Sequence, residues 1–380
     1  MSHSIGRNLA VLLLISVICL GVSSCGGGVS NGGSAAPSAF LFAADSGEGN
    51  PSLDVFTVSS SGSIALASGS PYTVNGPPAS LIAASGEDHL LFADGGNLPV
   101  SSSLYVFRIG ANGVLTSLGS PVLAIGFPST LSVAPAGDFL FVDGQIFTID
   151  AATGALALLG YAPASGPGMF SPDGRFIFSL DSFSGVESYT FTFDSKTGAA
   201  TPVSSLGFLP FDTSPRPPVV HPSGKFVYVP YFADTGIFFT PPQGGIAGFA
   251  VAADGSLTSL PGSPFASGID FGQAVIDPAG AHLYVTGSVD SDNPAIGNFV
   301  YGFTIDQNSG ALSPISGASP FSPGTPQALA FDPSGRYLFV AHQRGAFGVY
   351  SVGTDGMPTP LAGAPSFLGG NIISLVAIQP

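Results

Sequence analysis

Short apolar runs alternate with clusters of Gly, Pro, Ser and Asp along most of the chain. The clearest case lies near the C-terminus, where an apolar run over 328–331 meets Asp332-Pro333-Ser334-Gly335 and a second apolar run follows, from Tyr337 to Ala341. Pro fixes φ near about −65° at the second position of a turn, and Gly accepts a positive φ near its end. The pattern therefore predicts two short antiparallel strands joined by a tight turn.

This strand–turn–strand unit recurs along the sequence. Similar segments begin at Ala134, Ser171, His221 and Asp277, and a weaker one begins at Ala84. The turn glycines of the six units are Gly86, Gly137, Gly174, Gly224, Gly280 and Gly335. Strand-only repeats of roughly 40–50 residues are typical of the blades of a β-propeller.

Each repeat contains four strand-like runs, and no segment shows a sustained helical period. With 53 Gly and 34 Pro in 380 residues, helices are disfavoured further. We label the strands of a blade a to d, from the innermost to the outermost. The predicted c strands are 104–109, 145–149, 188–193, 246–251, 299–305 and 347–352.

The two ends of the repeat region complement each other. Phe40 to Ala44, Leu53 to Val58 and Ile64 to Leu66 supply strands b, c and d without a strand a, whereas Ile372 to Ile378 supplies a strand a without a strand b. Pairing them closes the ring and removes two sheet edges. The sequence thus predicts an all-β, seven-bladed propeller of four-stranded antiparallel blades; six or eight blades follow if the short third repeat is misread.

The N-terminus carries a targeting signal. Residues 1–24 combine a basic start, an apolar core too short to span a bilayer and small residues before Cys25, as in a signal peptide. The end of this segment resembles the bacterial lipobox, which implies acylation of Cys25, palmitate included, and Gly26 implies sorting to the outer membrane or cell surface. The alternative is an ordinary signal peptide. Residues 25–38 form a Gly/Ser-rich tether, and residues 39–380 form the propeller.

Composition and charge exclude several function classes. Lys and Arg number 8 against 23 Asp and Glu, so the net charge is −15, and nucleic acid is not an expected partner. Cys19 and Cys25 are the only cysteines, and both precede the propeller. Cysteine nucleophiles, zinc–thiolate sites and iron–sulfur clusters in the propeller are therefore excluded. We expect a monomer.

The turn motif resembles that of the lactonase family of seven-bladed propellers, which includes 6-phosphogluconolactonase-type enzymes. The segment Pro215 to Lys225 is similar to the one in which enzymatic members use an Arg and a His, followed by a Glu after the next strand. The resemblance implies that Arg216 keeps the Arg position, while Pro217 and Phe232 occupy the His and Glu positions. It also implies that Asp181 keeps an acidic position one blade earlier.

Polar side chains are predicted to gather where the b strands end, on the face formed by the b–c loops and d–a connections. We call this side of the ring the loop face. Its predicted binding residues are Asp45, Asp94, Asp143, Asp181, Tyr231 and Arg344. The carboxylates favour either a polyol or cation site, with Ca²⁺ as one option because it prefers oxygen ligands, or simple capping of their own loops. The identity of any metal stays open.

Two basic groups complete the candidate site. Arg216 suits a carboxylate or phosphate ligand, or alternatively an ion pair with Asp212. His342 is the best acid/base candidate, whereas His221 lies in a turn on the opposite face, where a structural role is expected. The sequence predicts a lipid-anchored propeller of the cell envelope that binds a small molecule, glycan or protein on its loop face without catalysis. The alternative is a lactone hydrolase of the 6-phosphogluconolactonase type, with Arg216, His342 and Asp181 as catalytic candidates.

Overall fold

Seven antiparallel sheets make up the described part of the chain. The computed structural model describes residues 36–380 except 47–51, 74–77, 84–89, 99–100, 127, 165, 182–186, 208–212, 234–243, 289–297, 318–319, 323 and 363–369. The signal peptide of residues 1–24 and the acylation site Cys25 lie outside the described residues. Within the described residues, no helix is long and apolar enough to cross a membrane.

The first three blades precede residue 162, apart from one strand. Blade one contains β1 (Ala39–Asp45), β2 (Ser52–Val58), β3 (Ile64–Leu66), β4 (Tyr72–Thr73) and, from the end of the chain, β30 (Ile372–Ile378). Blade two contains β5 (Pro78–Ala83), β6 (Leu90–Leu98), β7 (Ser101–Ile109) and β8 (Leu115–Ile125). Blade three contains β9 (Leu131–Val133), β10 (Phe139–Val142), β11 (Gln145–Ile149) and β12 (Leu156–Tyr161).

The other four blades follow in chain order. Blade four contains β13 (Gly168–Phe170), β14 (Phe176–Asp181), β15 (Glu187–Asp194) and β16 (Ala199–Gly207). Blade five contains β17 (Thr213–Pro215), β18 (Val219–Val220), β19 (Phe226–Ala233), β20 (Gly245–Val251) and β21 (Leu257–Ser259). Blade six contains β22 (Asp270–Ile276), β23 (His282–Ser288), β24 (Asn298–Ile305) and β25 (Leu312–Pro314). Blade seven contains β26 (Pro326–Phe331), β27 (Tyr337–His342), a 3₁₀ turn at Gln343–Gly345, β28 (Phe347–Val352) and β29 (Pro358–Pro360).

The C-terminal strand closes the ring as predicted. β30 pairs antiparallel with β1, from Phe40 opposite Ile378 to Ala44 opposite Ser374, with a register shift before Asp45. The pairing makes β30 the innermost strand of blade one. The predicted seven-bladed, all-β propeller is therefore confirmed.

The core lies between neighbouring blades, and this explains why the b strands read as continuous apolar runs. Leu41 and Ala43 pack towards blade seven against Phe339, while Phe40 and Phe42 on the opposite face of β1 pack towards blade two. Both faces of a b strand are thus buried, so apolar residues occupy every position instead of every second one.

The turns on the face opposite the loop face connect neighbouring blades. His221 is buried in the turn of blade five, where its Nδ1 lies 2.7 Å from Ser223 Oγ. Its Nε2 lies 2.8 Å from the carbonyl oxygen of Gly280, in the equivalent turn of blade six. The side chain therefore fixes two turns relative to each other, which is the structural position expected from the sequence.

Gly280→Ala is expected to destabilise the fold by about 2–4 kcal/mol. Gly280 has a φ of 74°, and an added Cβ would lie 2.5 Å from His221 Nε2. The variant therefore combines a left-handed backbone penalty of about 1 kcal/mol with the disruption of a buried hydrogen bond. Gly137→Ala is the matched control, because Gly137 has a φ of 77° but no atom lies within 4 Å of its added Cβ. Urea denaturation measures both, and equal losses would contradict the role given to His221.

Candidate functional site

Arg216 lies in a break in the innermost strand of blade five. The strand is split into β17 and β18, which pair separately with β19. Pro217 and Pro218 have no N–H to donate to the ladder, so pairing stops between the two halves. The sequence placed Arg216 in the d–a connection; the structure corrects this, because the two prolines interrupt the strand itself. The Arg216 N–H still donates to the Pro230 carbonyl oxygen at 2.8 Å.

Several other innermost strands carry irregularities beside the channel. The register shifts in β22 between Phe271 and Ala274, and in β26 between Pro326 and Ala328. A bulge adds a residue to one strand and re-aims its side chain. The bulged segments contain Gln273 in β22 and Gln327 in β26, and both glutamines line the channel.

Three adjoining cavities follow the channel. A cavity of about 350 Å³ opens towards the loop face and is lined by Arg216, Phe232, Asp270, Phe271, Gly272, Thr286, Gly287, Ser288, Asn298, Thr325, Pro326, Gln327 and Gln343. The next, of about 380 Å³, is lined by Ser129, Arg216, Pro217, Gly272, Gln273, Thr286, Pro326, Gln327, Ile373 and Ser374. A third cavity of about 440 Å³ continues towards the other face, where apolar residues such as Ile276, Phe331 and Ala377 line it. The first two share Arg216 and form the candidate site.

The Arg216 guanidinium is the positive charge of this site. Its Cζ lies 4.6 Å from the centre of the Phe232 ring, a cation–π distance. Its surface remains accessible from the channel, yet the surrounding protein lowers its pKa by desolvation, an effect that the Asp270 carboxylate opposes. Among the described residues that line the three cavities, Arg216 and Asp270 are the charged ones. An anionic ligand would therefore meet one cation fixed by an aromatic ring.

Neutral polar groups surround that cation. Gln273 Oε1 accepts the Leu329 N–H at 2.8 Å, which joins blade six to blade seven and fixes the amide of this side chain. Gln327 Oε1 is buried and has no hydrogen-bond partner. Together with the Thr286 hydroxyl, these amides offer donors and acceptors of the kind that hydroxyl groups of a sugar require.

His342 lies beside the mouth of the channel but is buried. Its Nε2 lies 3.0 Å from the Oγ of Ser322, and both residues are more than nine-tenths buried. Burial lowers the pKa of the imidazole, so the neutral form is the one present at pH 7. The ring itself does not line the three cavities, whereas the next residue, Gln343, does. An added Cβ on Gly324 would lie 3.0 Å from Nδ1, so a glycine leaves the space beside this nitrogen open.

The aspartates that follow the b strands differ in their partners. Asp45 Oδ1 accepts the Asn371 N–H at 2.6 Å. Asp143 accepts the backbone N–H and hydroxyl of both Ser129 and Thr130, at 2.7 to 3.1 Å. Each of these two carboxylates thus holds the d–a connection of its own blade. Asp94, by contrast, is buried and neither oxygen has a hydrogen-bond partner.

The remaining predicted binding residues are placed as follows. Asp181 ends β14, and its side chain lies outside what the structure describes. The Tyr231 side chain is buried, and burial raises the pKa of its hydroxyl. Arg344 is exposed in the 3₁₀ turn, with a φ of 60°. Asp212, the ion-pair partner considered for Arg216, lies outside the described residues.

The channel glutamines were missed by the sequence reasoning. Gln273 and Gln327 each stand between a Gly or Pro and an Ala at the start of an apolar run: Gly272-Gln273-Ala274 and Pro326-Gln327-Ala328. A recurring polar residue at this place in two repeats is a signal that could have found them, because equivalent positions in repeats occupy equivalent places around the ring.

The fold and the site define a seven-bladed β-propeller with a polar channel mouth that contains an arginine. Residues 169–362 match the sequence model of the family described as "Lactonase, 7-bladed beta-propeller". The match spans more than half of the chain, so this protein belongs to that family. The resemblance predicted from the turn motif is thereby confirmed.

Solved structures show the same architecture over most of the chain. A putative 6-phosphogluconolactonase from Bacteroides uniformis is 18% identical, with a TM-score of 0.68 over 90% of this chain and 99% of that one. The periplasmic gluconolactonase PpgL of Pseudomonas aeruginosa is 19% identical, with a TM-score of 0.67 over 90% and 99%. A putative 6-phosphogluconolactonase from Bacteroides fragilis is 16% identical, with a TM-score of 0.67 over 90% and 98%. At these identities the likeness shows the fold. A comparison with curated protein sequences gave no match.

Proposed function

We propose that this propeller hydrolyses a sugar lactone that carries an anionic group, in the manner of a 6-phosphogluconolactonase. The observation that carries the proposal is the Arg216 guanidinium, which lines both cavities at the loop-face mouth of the channel. Membership of the lactonase family and the likeness to structures named as gluconolactonases support the same reaction class. Cavities of about 350 and 380 Å³ also suit a single sugar ring.

Arg216 can serve the reaction in one of two ways. Its planar fork of donors can bind a phosphate or carboxylate of the substrate bidentately. Alternatively, it can stabilise the negative charge that develops on the carbonyl oxygen when water attacks the lactone. In either case the Phe232 ring holds the guanidinium in place, and the amides of Gln273 and Gln327 bind substrate hydroxyl groups.

We propose His342 as the proton-transfer group, acting through a bridging water because its ring does not itself line the cavities. Water adds to the lactone carbonyl carbon, the ring C–O bond breaks, the proton lost by water is taken up by a base, and the leaving ring oxygen regains a proton. The family's His and Glu positions are Pro217 and Phe232 here, and neither side chain can accept a proton. His342 has a neutral imidazole and adjoins the cavity-lining Gln343.

Arg216→Ala is expected to lower kcat/KM for 6-phosphogluconolactone by about 10- to 100-fold, because a charge-assisted hydrogen bond is lost. A rise in KM alone would assign the guanidinium to substrate binding, and a fall in kcat would assign it to the transition state. Arg175→Ala is the matched control: its guanidinium also lies over a ring, 4.9 Å from the centre of Phe176, but in an exposed turn beside Asp173. An activity that survives Arg216→Ala undiminished would contradict the proposal.

Binding without catalysis is the second candidate function. One specific observation favours it, namely that Pro217 and Phe232 replace the two proton-transfer groups of the resembled segment. The same purified chain distinguishes the two functions. Saturable binding of a sugar acid that depends on Arg216, without lactone hydrolysis above the spontaneous rate, would favour a binding module for a small molecule or glycan.

We also propose that the propeller is anchored in the cell envelope through Cys25. The N-terminal pattern supports this location, and the similar Pseudomonas protein is described as periplasmic. The full chain is expected to incorporate labelled palmitate when made in a bacterium with an outer membrane, and Cys25→Ala is expected to abolish the label. If the Cys25→Ala chain still incorporated labelled palmitate, acylation of Cys25 would be ruled out as the anchor.

A further inference from the structure

Among the predicted binding residues whose side chains the structure describes, Asp94 is the one carboxylate that is buried without a hydrogen-bond partner. Asp94 lies in β6 opposite Leu104 of β7, with a relative exposure of 1%. It is two residues from Phe92, which packs towards blade three, so its side chain faces the same way. Neither carboxylate oxygen has a hydrogen bond.

The reason lies in the strand that faces it. In blades one and three, backbone N–H groups at the start of the innermost strand donate to the equivalent Asp45 and Asp143. In blade two this strand begins with Pro78, opposite Gly95, and its register shifts before Leu81. The residues that face Asp94 are therefore Ala79 and Ser80, which lie in this register shift, so the backbone donors that the other blades supply do not reach the carboxylate.

A second orphan group lies beside Asp94. Ser102 of β7 is also 1% exposed, and its hydroxyl likewise has no hydrogen-bond partner. Asp94 pairs with Leu104, so Ser102 is its diagonal neighbour on the same face of the sheet. Two unpartnered oxygen-bearing side chains are therefore buried next to each other at the loop-face end of blade two.

A bound cation would compensate the negative charge that is buried at this position. Burial raises the pKa of Asp94 from 3.8 to about 6, the Ser102 hydroxyl lowers it, and the negative charge of Asp143 raises it. Arg108 is on the same face of β7, but its guanidinium donates to the carbonyls of Ala151 and Ala152, beyond the opposite end of the strand. At pH 7.5 the carboxylate is thus ionised and buried without a described counter-charge, an arrangement that costs free energy.

We propose that Asp94 and Ser102 bind a hard cation of the Ca²⁺ class between blades two and three, with the Asp143 carboxylate contributing the second negative charge nearby. Ca²⁺ prefers carboxylate and hydroxyl oxygens and completes its shell with backbone carbonyls and water. The site is separate from the Arg216 channel site and does not depend on lactone hydrolysis. Its occupation would join the two blades at the position where, in blades one and three, the equivalent carboxylate accepts backbone N–H groups instead.

Thermal unfolding of the purified full chain, treated with a chelator and then titrated with CaCl₂ at pH 7.5, tests the proposal. The wild type is expected to gain about 2–4 °C in Tm at a saturating concentration, as for a ligand that binds only the native state. Asp94→Asn is expected to abolish the shift, and Ser102→Ala to raise the CaCl₂ concentration needed by several-fold. Asp150→Asn, which changes an exposed turn carboxylate, is the control that keeps the full shift.

Measurements at a lower pH and with NaCl in place of CaCl₂ distinguish cation binding from protonation and from a general effect of ionic strength. The shift is expected to vanish at pH 5, because a proton then occupies Asp94, and NaCl at equal ionic strength is expected not to reproduce it. A wild type that does not respond to 10 mM CaCl₂ (about tenfold above the Kd of the weakest extracellular Ca²⁺ sites), or an Asp94→Asn chain that responds as strongly as the wild type, would overturn the proposal. The proposal would also be overturned if the Tm depended on pH but not on the CaCl₂ concentration, because the site would then bind only a proton.

Discussion

A chain that lacks Asn371 to Pro380 is expected to lose its cooperative unfolding transition. The deletion removes β30, which is the innermost strand of blade one and packs against the neighbouring blades. Ile372 and Leu375 are buried there, and burial of each contributes about 1.5–3 kcal/mol. The deletion also exposes the edge of β1 and opens the ring, so the total loss is of the order of the whole stability of a domain, about 5–15 kcal/mol.

Circular dichroism during heating and size-exclusion chromatography measure this effect. Deletion of Gln379 and Pro380 alone is the control, because both are exposed and lie beyond β30. The short deletion is expected to leave the melting transition unchanged. If the long deletion also unfolded cooperatively at the wild-type temperature, ring closure by β30 would not be what stabilises the propeller.

The architecture was predictable because the same strand–turn–strand unit recurs several times in the sequence. Repeated turns gave the blades, and a strand buried on both faces shows as an unbroken apolar run whose limits are easy to see. The predicted limits of 145–149, 347–352 and 372–378 agree with β11, β28 and β30. Closure followed from a count of strands at the two ends, which needs no knowledge of side-chain packing.

The candidate site was less predictable, because channel geometry depends on register. Arg216 was identified from a local motif, but its place within the innermost strand depends on how two prolines interrupt pairing with β19. Gln273 and Gln327 reach the channel because their strands are irregular at that point. The irregularities depend on pairing with another strand, so neither residue shows an unusual pattern in its own segment.

The hydrogen-bond partners of the aspartates were unpredictable for a similar reason, because they depend on strand pairing. Asp45, Asp94 and Asp143 occupy equivalent positions in the repeat, so the sequence treats them alike. The partners of Asp45 and Asp143 come from residues just before the innermost strand, 13 residues or more away in the chain. A register shift there, between Pro78 and Leu81, distinguishes Asp94, and this shift becomes visible only once the strands are paired.

The same physics that leaves Asp94 without a partner makes the stability of the wild type depend on pH. In the unfolded chain an Asp has a pKa of about 3.8, whereas burial raises that of folded Asp94 to about 6. Between these values the folded state holds a proton that the unfolded state has lost. Stability therefore falls as pH rises through this window, at about 1.4 kcal/mol per pH unit, and the loss levels off near 3 kcal/mol (an approximate value) above pH 6.

Asp94→Asn is accordingly expected to raise the free energy of unfolding by about 2–3 kcal/mol at pH 8 and to change it little at pH 4. Urea denaturation at both pH values, with a chelator present so that no cation masks the charge, measures the difference between variant and wild type. Burial also raises the pKa of Asp54 and of Asp143. The contribution of Asp54 is the same in both chains and cancels, whereas loss of the Asp94 charge removes its repulsion of Asp143 and acts in the same direction as the expected gain in stability. A variant that is equally or less stable than the wild type at pH 8 would show that the ionised carboxylate is compensated in the fold, and its burial would then carry no free-energy cost.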